Sequence, residues 1–300
     1  MDARVLVMIL LVGSLLAPRP GIATTHVTGP LVVDQYLVVI KAGRDARGVA
    51  RAAGVTPRHV YERVLNGFAA TLNSGQHTAL ERHPDVTLIE PDQVVQATAT
   101  QTIDPAGGLW GLDRIDQQAL PLSGSYSYGT MGAGVTAYLI DSGLQVDHPD
   151  FGGRAQNVYD PTGGTGDDCN GHGTHLAGIA GGSTHGVAKA VALRGVRVLD
   201  CDALGTVSNA IRGIDWVAAN ASKPAVVTIA FSPYNLDSNN SGTLQLAVEN
   251  LIASGVFVAV SAGNDNIDAC TKAPANISAA FTVAASTRTD SRAIFSNFGA

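Results

Sequence analysis

Three short segments carry residue types that suit acyl transfer to water. They are Ala137–Phe151 (AYLIDSGLQVDHPDF), Asn170–Gly181 (NGHGTHLAGIAG) and Val258–Asn264 (VAVSAGN). Asp141 ends an apolar run, and His172 opens a stretch with helical character. A carboxylate placed there can hold an imidazole in one tautomer and stabilise the imidazolium that forms when a nucleophile loses its proton. An amide such as Asn264 can donate to the oxyanion of a tetrahedral intermediate. Gly171, Gly173 and Gly178 are expected to let backbone pack closely around the base. Each residue also has a plain reading: an aspartate after a strand is usually a turn or cap residue, and a histidine among glycines usually serves the turn. His172 and His175 have the spacing of half a metal site, but no matching carboxylate or thiol motif completes it. His175 therefore reads as a packed helical residue, and no metal ligand is assigned.

The elements that must position these residues follow from the apolar patterning. After about residue 109, short continuous apolar runs alternate with helical segments. Strands are predicted over 135–140, 196–199, 226–231, 256–260 and 281–285. Helices are predicted over 172–181, 207–219 and 244–253, the second from Val207, Ile211, Ile214 and Val217 at helical spacing. Continuous runs indicate strands buried on both faces, as in a parallel α/β sheet. Such sheets place their sites at the C-terminal ends of strands, where Asp141 and Asn264 fall. Asp141-Ser-Gly does not match a G-x-G-x-x-G turn, so a nucleotide-binding reading is set aside.

Residues 35–97 form a separate unit. QYLVVIKA reads as a strand, 45–53 as a helix, and YERVLNGFAATL as paired strands turning at Asn66-Gly67. Ser74 is expected to cap a short helix ending near His83-Pro84, and 86–95 to form the last strand. The order βαββαβ is the ferredoxin-like α+β arrangement. Between the units, 98–108 lacks a sustained apolar run and reads as an exposed linker open to proteolytic cutting.

The N-terminus gives the compartment. Arg4 precedes an apolar run from Val5 to Leu16, and the chain then turns small and polar to Ala23. This is the order of a secretory signal peptide over residues 1–23. The run falls short of the ~20 apolar residues that span a bilayer, so the mature product is expected to leave the membrane. A net charge of −6 argues against nucleic acid as a partner. Three cysteines, Cys169, Cys201 and Cys270, leave one unpaired if two are bridged in an oxidising compartment.

Taken together, Asp141, His172 and Asn264 with their flanks resemble the subtilase family of serine endopeptidases, most nearly its proteinase K and aqualysin branch. The resemblance runs from Trp110 (WGLDRID) to Phe298 (RAIFSNFG) and rests on three motifs in the family's order. It implies a three-layer subtilisin-like fold over 109–300, with Asp141 as orienting acid, His172 as general base and Asn264 as oxyanion donor. The order Asp, His, Ser is that of the subtilisins. VLNGFAATL and VTLIEPDQVV resemble the family's inhibitory propeptide, which implies a small domain that caps the cleft and is cut off within the linker. The implied partners are protein or peptide substrates and the chain's own propeptide, and the implied mature form is a monomer. The chemistry needs no cofactor, while structural calcium is implied by the resemblance. So is a Cys169–Cys201 disulfide, with Cys270 pairing to a cysteine just beyond Ala300.

Two departures stand out. No Gly-Thr-Ser-Met-Ala segment occurs, and Ser278, Ser286, Ser291 and Ser296 all lie in other contexts. The chain is accordingly expected to stop before its nucleophile and to be inactive as written. The alternative is a catalytically dead subtilase-like protein that binds peptides or inhibits a protease. Secondly, relatives carry Ser-Leu-Gly-Gly-Gly along the substrate, where this chain has Ala230-Phe231-Ser232-Pro233-Tyr234. By resemblance Ala230, Phe231 and Ser232, with Ala262 and Gly263, line the substrate path. Pro233 is expected to cost that path an N–H donor.

Overall fold

A computed structural model describes residues 31–97, 109–233 and 241–299. The signal segment 1–23, the linker 98–108 and Tyr234 lie outside the described residues.

The first unit runs β1 (Leu31–Ile40), α1 (Ala46–Ala52), β2 (His59–Tyr61), β3 (Gly67–Thr71), α2 (Ser74–Glu81) and β4 (Val86–Ala97). Its antiparallel sheet has the order β4-β1-β3-β2, the ferredoxin-like arrangement. Period-two alternation gives that sheet two apolar faces. Val38, Ile40, Phe68 and Ala70 face a core with Val49, Ala50 and Leu80 from α1 and α2. Two local expectations are corrected. The turn is not at Asn66-Gly67: Gly67 begins β3, where an added Cβ would lie 2.1 Å from the Val38 carbonyl, so it is the sheet crossing that excludes a side chain. The cap of α2 is Asn73 rather than Ser74, because Gln76, three residues on, completes a capping box.

The second unit begins with α3 (Trp110–Ile115) and then builds a sheet flanked by helices. Its elements are β5 (Thr136–Asp141), β6 (Ala155–Tyr159), α4 (His172–Gly181), β7 (Ala192–Arg197), β8 (Leu204–Thr206) and α5 (Val207–Asn220). After these come β9 (Ala225–Ile229), β10 (Phe231–Pro233), α6 (Gly242–Ala253), β11 (Phe257–Ser261) and β12 (Phe281–Val283). The strands of the main sheet lie in the order β12-β11-β9-β5-β7-β6, and every pairing is parallel. Leu139, Ile140, Val196, Val227 and Ile229 are all buried, as continuous apolar runs require. The fold is α/β, with the small α+β unit in front. Among the described residues no helix is long and apolar enough to cross a membrane.

The two units share a core. Leu37, Tyr61, Val64, Leu65 and Ala69 of the small unit pack in one cluster with Ile211, Ile214, Leu244 and Leu251 of α5 and α6. The second face of the small sheet is thus covered by helices of the large unit. Carboxylates seal the rim: Asp92 accepts from Ser208 N at the start of α5, and Glu90 accepts from Ser241 Oγ and Thr243 N at the start of α6. Both acids are nearly or fully buried and stand where a helix N-terminus favours negative charge. In return Asp215 of α5 accepts the backbone N–H groups of Arg63 and Val64.

Candidate active site

Asp141 is the last residue of β5 and His172 the first of α4, and both are buried. His172 Nδ1 lies 2.8 Å from Asp141 Oδ1. The same oxygen accepts the Ser142 N–H at 2.7 Å, while Oδ2 is buried with no hydrogen-bond partner among the described residues. A carboxylate only accepts, so Nδ1 must donate and Nε2 is left as the basic nitrogen. Of the flanking glycines, only Gly173 is held by close approach: a Cβ there would stand 2.2 Å from Gly143 O, whereas Gly171 and Gly178 face open space.

His172 opens on a cleft of about 240 Å³ that Ala230, Ser261, Gly263, Asn264 and His175 also line. The structure therefore brings together His172, Asn264, Ala230 and Gly263 around one space, with Asp141 behind the imidazole. Ala262 does not reach it. That residue is buried, its N–H donates to Val283 O at 2.8 Å, and its carbonyl accepts Asn297 Nδ2 at 2.8 Å. His175 is half-buried on α4, with its Nε2 buried and without a hydrogen-bond partner among the described residues. Burial, and then the neighbouring His172, push its pKa below the usual histidine value.

Phe231 and Ser232 meet the small unit through their backbone. The end of β4 runs antiparallel to β10, with Ala97 opposite Phe231, Gln96 opposite Ser232 and Val95 opposite Pro233. On its other side β4 pairs with β8, Gln96 facing Leu204 and Val94 facing Thr206. The small unit thus lays its last strand between two edges of the large one, heading toward Ala230 and the cleft. Neighbouring residues alternate in which way their N–H points, so Pro233 costs a donor only if its position is a hydrogen-bonded one. Sequence reasoning missed β8, since Leu-Gly-Thr has no strand signature of its own and forms a strand only by pairing.

Cys169 and Cys201 are joined by a disulfide, and Cys270 is exposed and unbridged among the described residues. Asn170 Nδ2 donates to Cys201 O at 2.9 Å, so the loop before His172 is fastened to the chain entering β8. Among the described residues no group of three or more His, Cys, Asp or Glu side chains is gathered to hold a metal. Asp113 spends its oxygens on Ser123 and Gly124 N–H groups.

Two carboxyl-to-imidazole partners at the ends of a parallel strand and a flanking helix narrow the possibilities, and comparison with known proteins decides among them. Residues 132–300 match the model of the subtilase family. The chain belongs to the subtilase family. Residues 36–98 of this subtilase match the model of peptidase inhibitor I9. It is 50% identical over 242 residues to an extracellular serine proteinase of Thermus sp. (strain Rt41A), a match spanning 80% of this chain and 57% of the relative. It is 45% identical over 291 residues to alkaline serine exoprotease A of Vibrio alginolyticus, spanning 89% and 53% respectively. Among solved structures it resembles a cold-adapted subtilisin-like serine proteinase, with a TM-score of 0.60 and 49% identity over 64% of this chain and 69% of that one. This subtilase spans about half the length of the first two relatives.

Proposed function

We propose that the protein is the precursor of a secreted serine endopeptidase in which Asp141 orients His172, His172 is the general base, and Asn264 donates to the oxyanion. The observation that carries the reading is the buried 2.8 Å contact between His172 Nδ1 and Asp141 Oδ1, beside a cleft shared with Asn264. In that geometry Nε2 takes the proton of a serine hydroxyl as it attacks the peptide carbonyl and returns it to the leaving amine. No residue of this chain is assigned the part of that serine. No cofactor is required, because each step runs on side chains.

The small domain, 35–97, acts in this reading as an intramolecular inhibitor. Its β4 occupies the groove between β8 and β10 in the way an extended peptide adds a strand to a sheet edge. The same two edges are proposed to bind substrate backbone once the small domain is released by cutting within 98–108. Residues 1–23 are proposed to direct export, supported by their charge and hydropathy order and by the extracellular naming of the Thermus relative.

The test is a peptide-hydrolysis assay on the protein secreted by its own host, with His172→Ala beside it. Cleavage that a serine-directed sulfonyl fluoride abolishes, and that His172→Ala lacks, is the expected result. A secreted product that binds denatured protein without cutting it would replace the reading with a peptide-binding one.

A further inference from the structure

The His172–Asp141 pair joins two segments that lie far apart in the chain, and a third residue holds them in register. Asp168 is 5% exposed, and its carboxylate accepts five hydrogen bonds. Oδ1 accepts from Ser142 Oγ at 2.8 Å, Asn170 N at 3.0 Å and Gly171 N at 2.8 Å. Oδ2 accepts from Thr174 N at 2.9 Å and Thr174 Oγ1 at 2.5 Å. Ser142 passes the connection on, its Oγ accepting from Gly173 N at 2.9 Å. Of the backbone N–H groups from 170 to 174, only that of His172 goes elsewhere, to Asn170 Oδ1 at 3.2 Å. The backbone N–H of Ser142 meanwhile donates to Asp141 Oδ1, the oxygen that holds the imidazole. The bonds close a ring: Asp141, Ser142, Asp168, the first turn of α4, His172, and Asp141 again.

We propose that Asp168 is a positioning residue of the active site, setting the imidazole of His172 against Asp141 through Ser142 and the first turn of α4. The inference rests on the proteolytic reading of the site. Burial alone would raise the Asp168 carboxyl, but hydrogen bonds from Thr174, Gly171 and Ser142 outweigh it and hold its pKa below the ordinary carboxylate value. It stays ionised at neutral pH. A negative charge at the start of a helix is also favoured by the helix dipole. The start of α4 packs closely against the end of β5, where a Cβ on Gly173 would come 3.3 Å from Asp141 Cβ as well as striking Gly143 O. A shift of the α4 start must therefore move the imidazole itself.

A plain helix cap would explain the bonds to Asn170, Gly171 and Thr174, but not the relay through Ser142 to the neighbour of Asp141. The two roles separate in experiment. In the secreted protein, Asp168→Ala and Ser142→Ala are compared with wild type for kcat, KM, melting temperature and the downfield proton resonance of the His172 Nδ1–H held by Asp141. Positioning predicts that Asp168→Ala lowers kcat by about tenfold to a hundredfold, since displacements of about 1 Å carry penalties of that size. KM should change by less than about threefold, and the downfield resonance should shift or vanish. Ser142→Ala, which leaves the cap of α4 on Asp168, should act in the same direction. If Asp168→Ala does not fold, Ser142→Ala decides alone. A lowered melting temperature with unchanged kcat and an unmoved resonance would reduce Asp168 to a structural cap. The resonance remains readable in a protein without peptidase activity, so loss of the proteolytic reading and loss of this inference are told apart.

Discussion

A base that takes a proton and gives it back must present the same nitrogen at each turn, and the residues around His172 are arranged for that. Asp141 has one oxygen occupied by Ser142 N–H and His172 Nδ1–H, which fixes both the tautomer and the plane of the ring. Replacing the carboxylate by an amide would present a donor to Nδ1 and invite the wrong tautomer. On the proposed proteolytic reading, Asp141→Asn is therefore expected to lower kcat by about 10⁴, as in serine-protease triads, while leaving the melting temperature nearly unchanged. In the proposed reaction Asn264 has a different task, needed only when charge develops on the carbonyl oxygen. Asn264→Ala should lower kcat by about 10²–10³ with little effect on KM, the range for loss of one oxyanion donor. Steady-state kinetics on both variants check the pair, and equal losses in kcat and KM for Asn264→Ala would assign it to ground-state binding instead.

At the scale of elements, the strand β4 and its two acids decide how the small domain is held. Glu90 accepts from Ser241 and Thr243 at the start of α6, and burial, outweighing those hydrogen bonds, pushes its pKa above the ordinary value of 4.5. A carboxyl raised in the complex favours association below its free pKa, and that contribution is lost as pH rises through the raised value. Glu90→Gln keeps the acceptor without the buried charge, so it should bind as tightly as wild type or tighter at neutral pH, with a flatter pH dependence. Glu90→Ala strands three donors and should weaken inhibition about tenfold to a hundredfold, from the cost of a charged or orphaned buried hydrogen bond. His59, whose pKa is lowered by burial and by Arg58, works in the opposite direction as pH falls, and the two Glu90 variants share it. The inhibition constant of added small domain, read against pH, gives the answer. None of this was legible in the chain. Glu90 and Asp92 look like the solvent side of a last strand, and only docking against α5 and α6 buries them. The placement of Asp141 at a strand end and of His172 at a helix start was legible, because the end of an apolar run and a glycine-rich turn mark them locally. The N-cap of α2 went to Ser74 because both neighbours are good caps, and only the position of Gln76 distinguishes Asn73. β8 could not be read, since Leu-Gly-Thr forms a strand only through its pairings with β4 and Leu199.

At the scale of the molecule, the two units differ in how complete each is. The large unit buries most of β5, β7 and β9 while Phe281 and Val283 of β12 stay exposed, and the small unit shares with α5 and α6 the cover on one face of its sheet. Leu37, Tyr61, Val64, Leu65 and Ala69 are buried in one cluster with residues of α5 and α6. Burying a large apolar side chain stabilises by about 1.5–3 kcal/mol, so exposing Leu37, Tyr61, Val64 and Leu65 costs as much as the ~5–15 kcal/mol by which ordinary domains are stable. A domain of roughly 60 residues has little to spare, since it buries only ~60% of its chain surface on folding. Residues 31–97 made alone should therefore show weak far-ultraviolet dichroism and no cooperative thermal transition. Adding the mature large domain should restore the helical signal of α1 and α2 in step with inhibition, because β4, Glu90 and Asp92 gain their partners at the same moment as the apolar face. Folding and binding would then be one event, and mutations at Tyr61 or Leu65 should weaken inhibition without touching the cleft. A sharp melt of 31–97 on its own would mean instead that the β1-β3 face with α1 and α2 suffices as a core, and that the contacts to α5 and α6 serve docking alone.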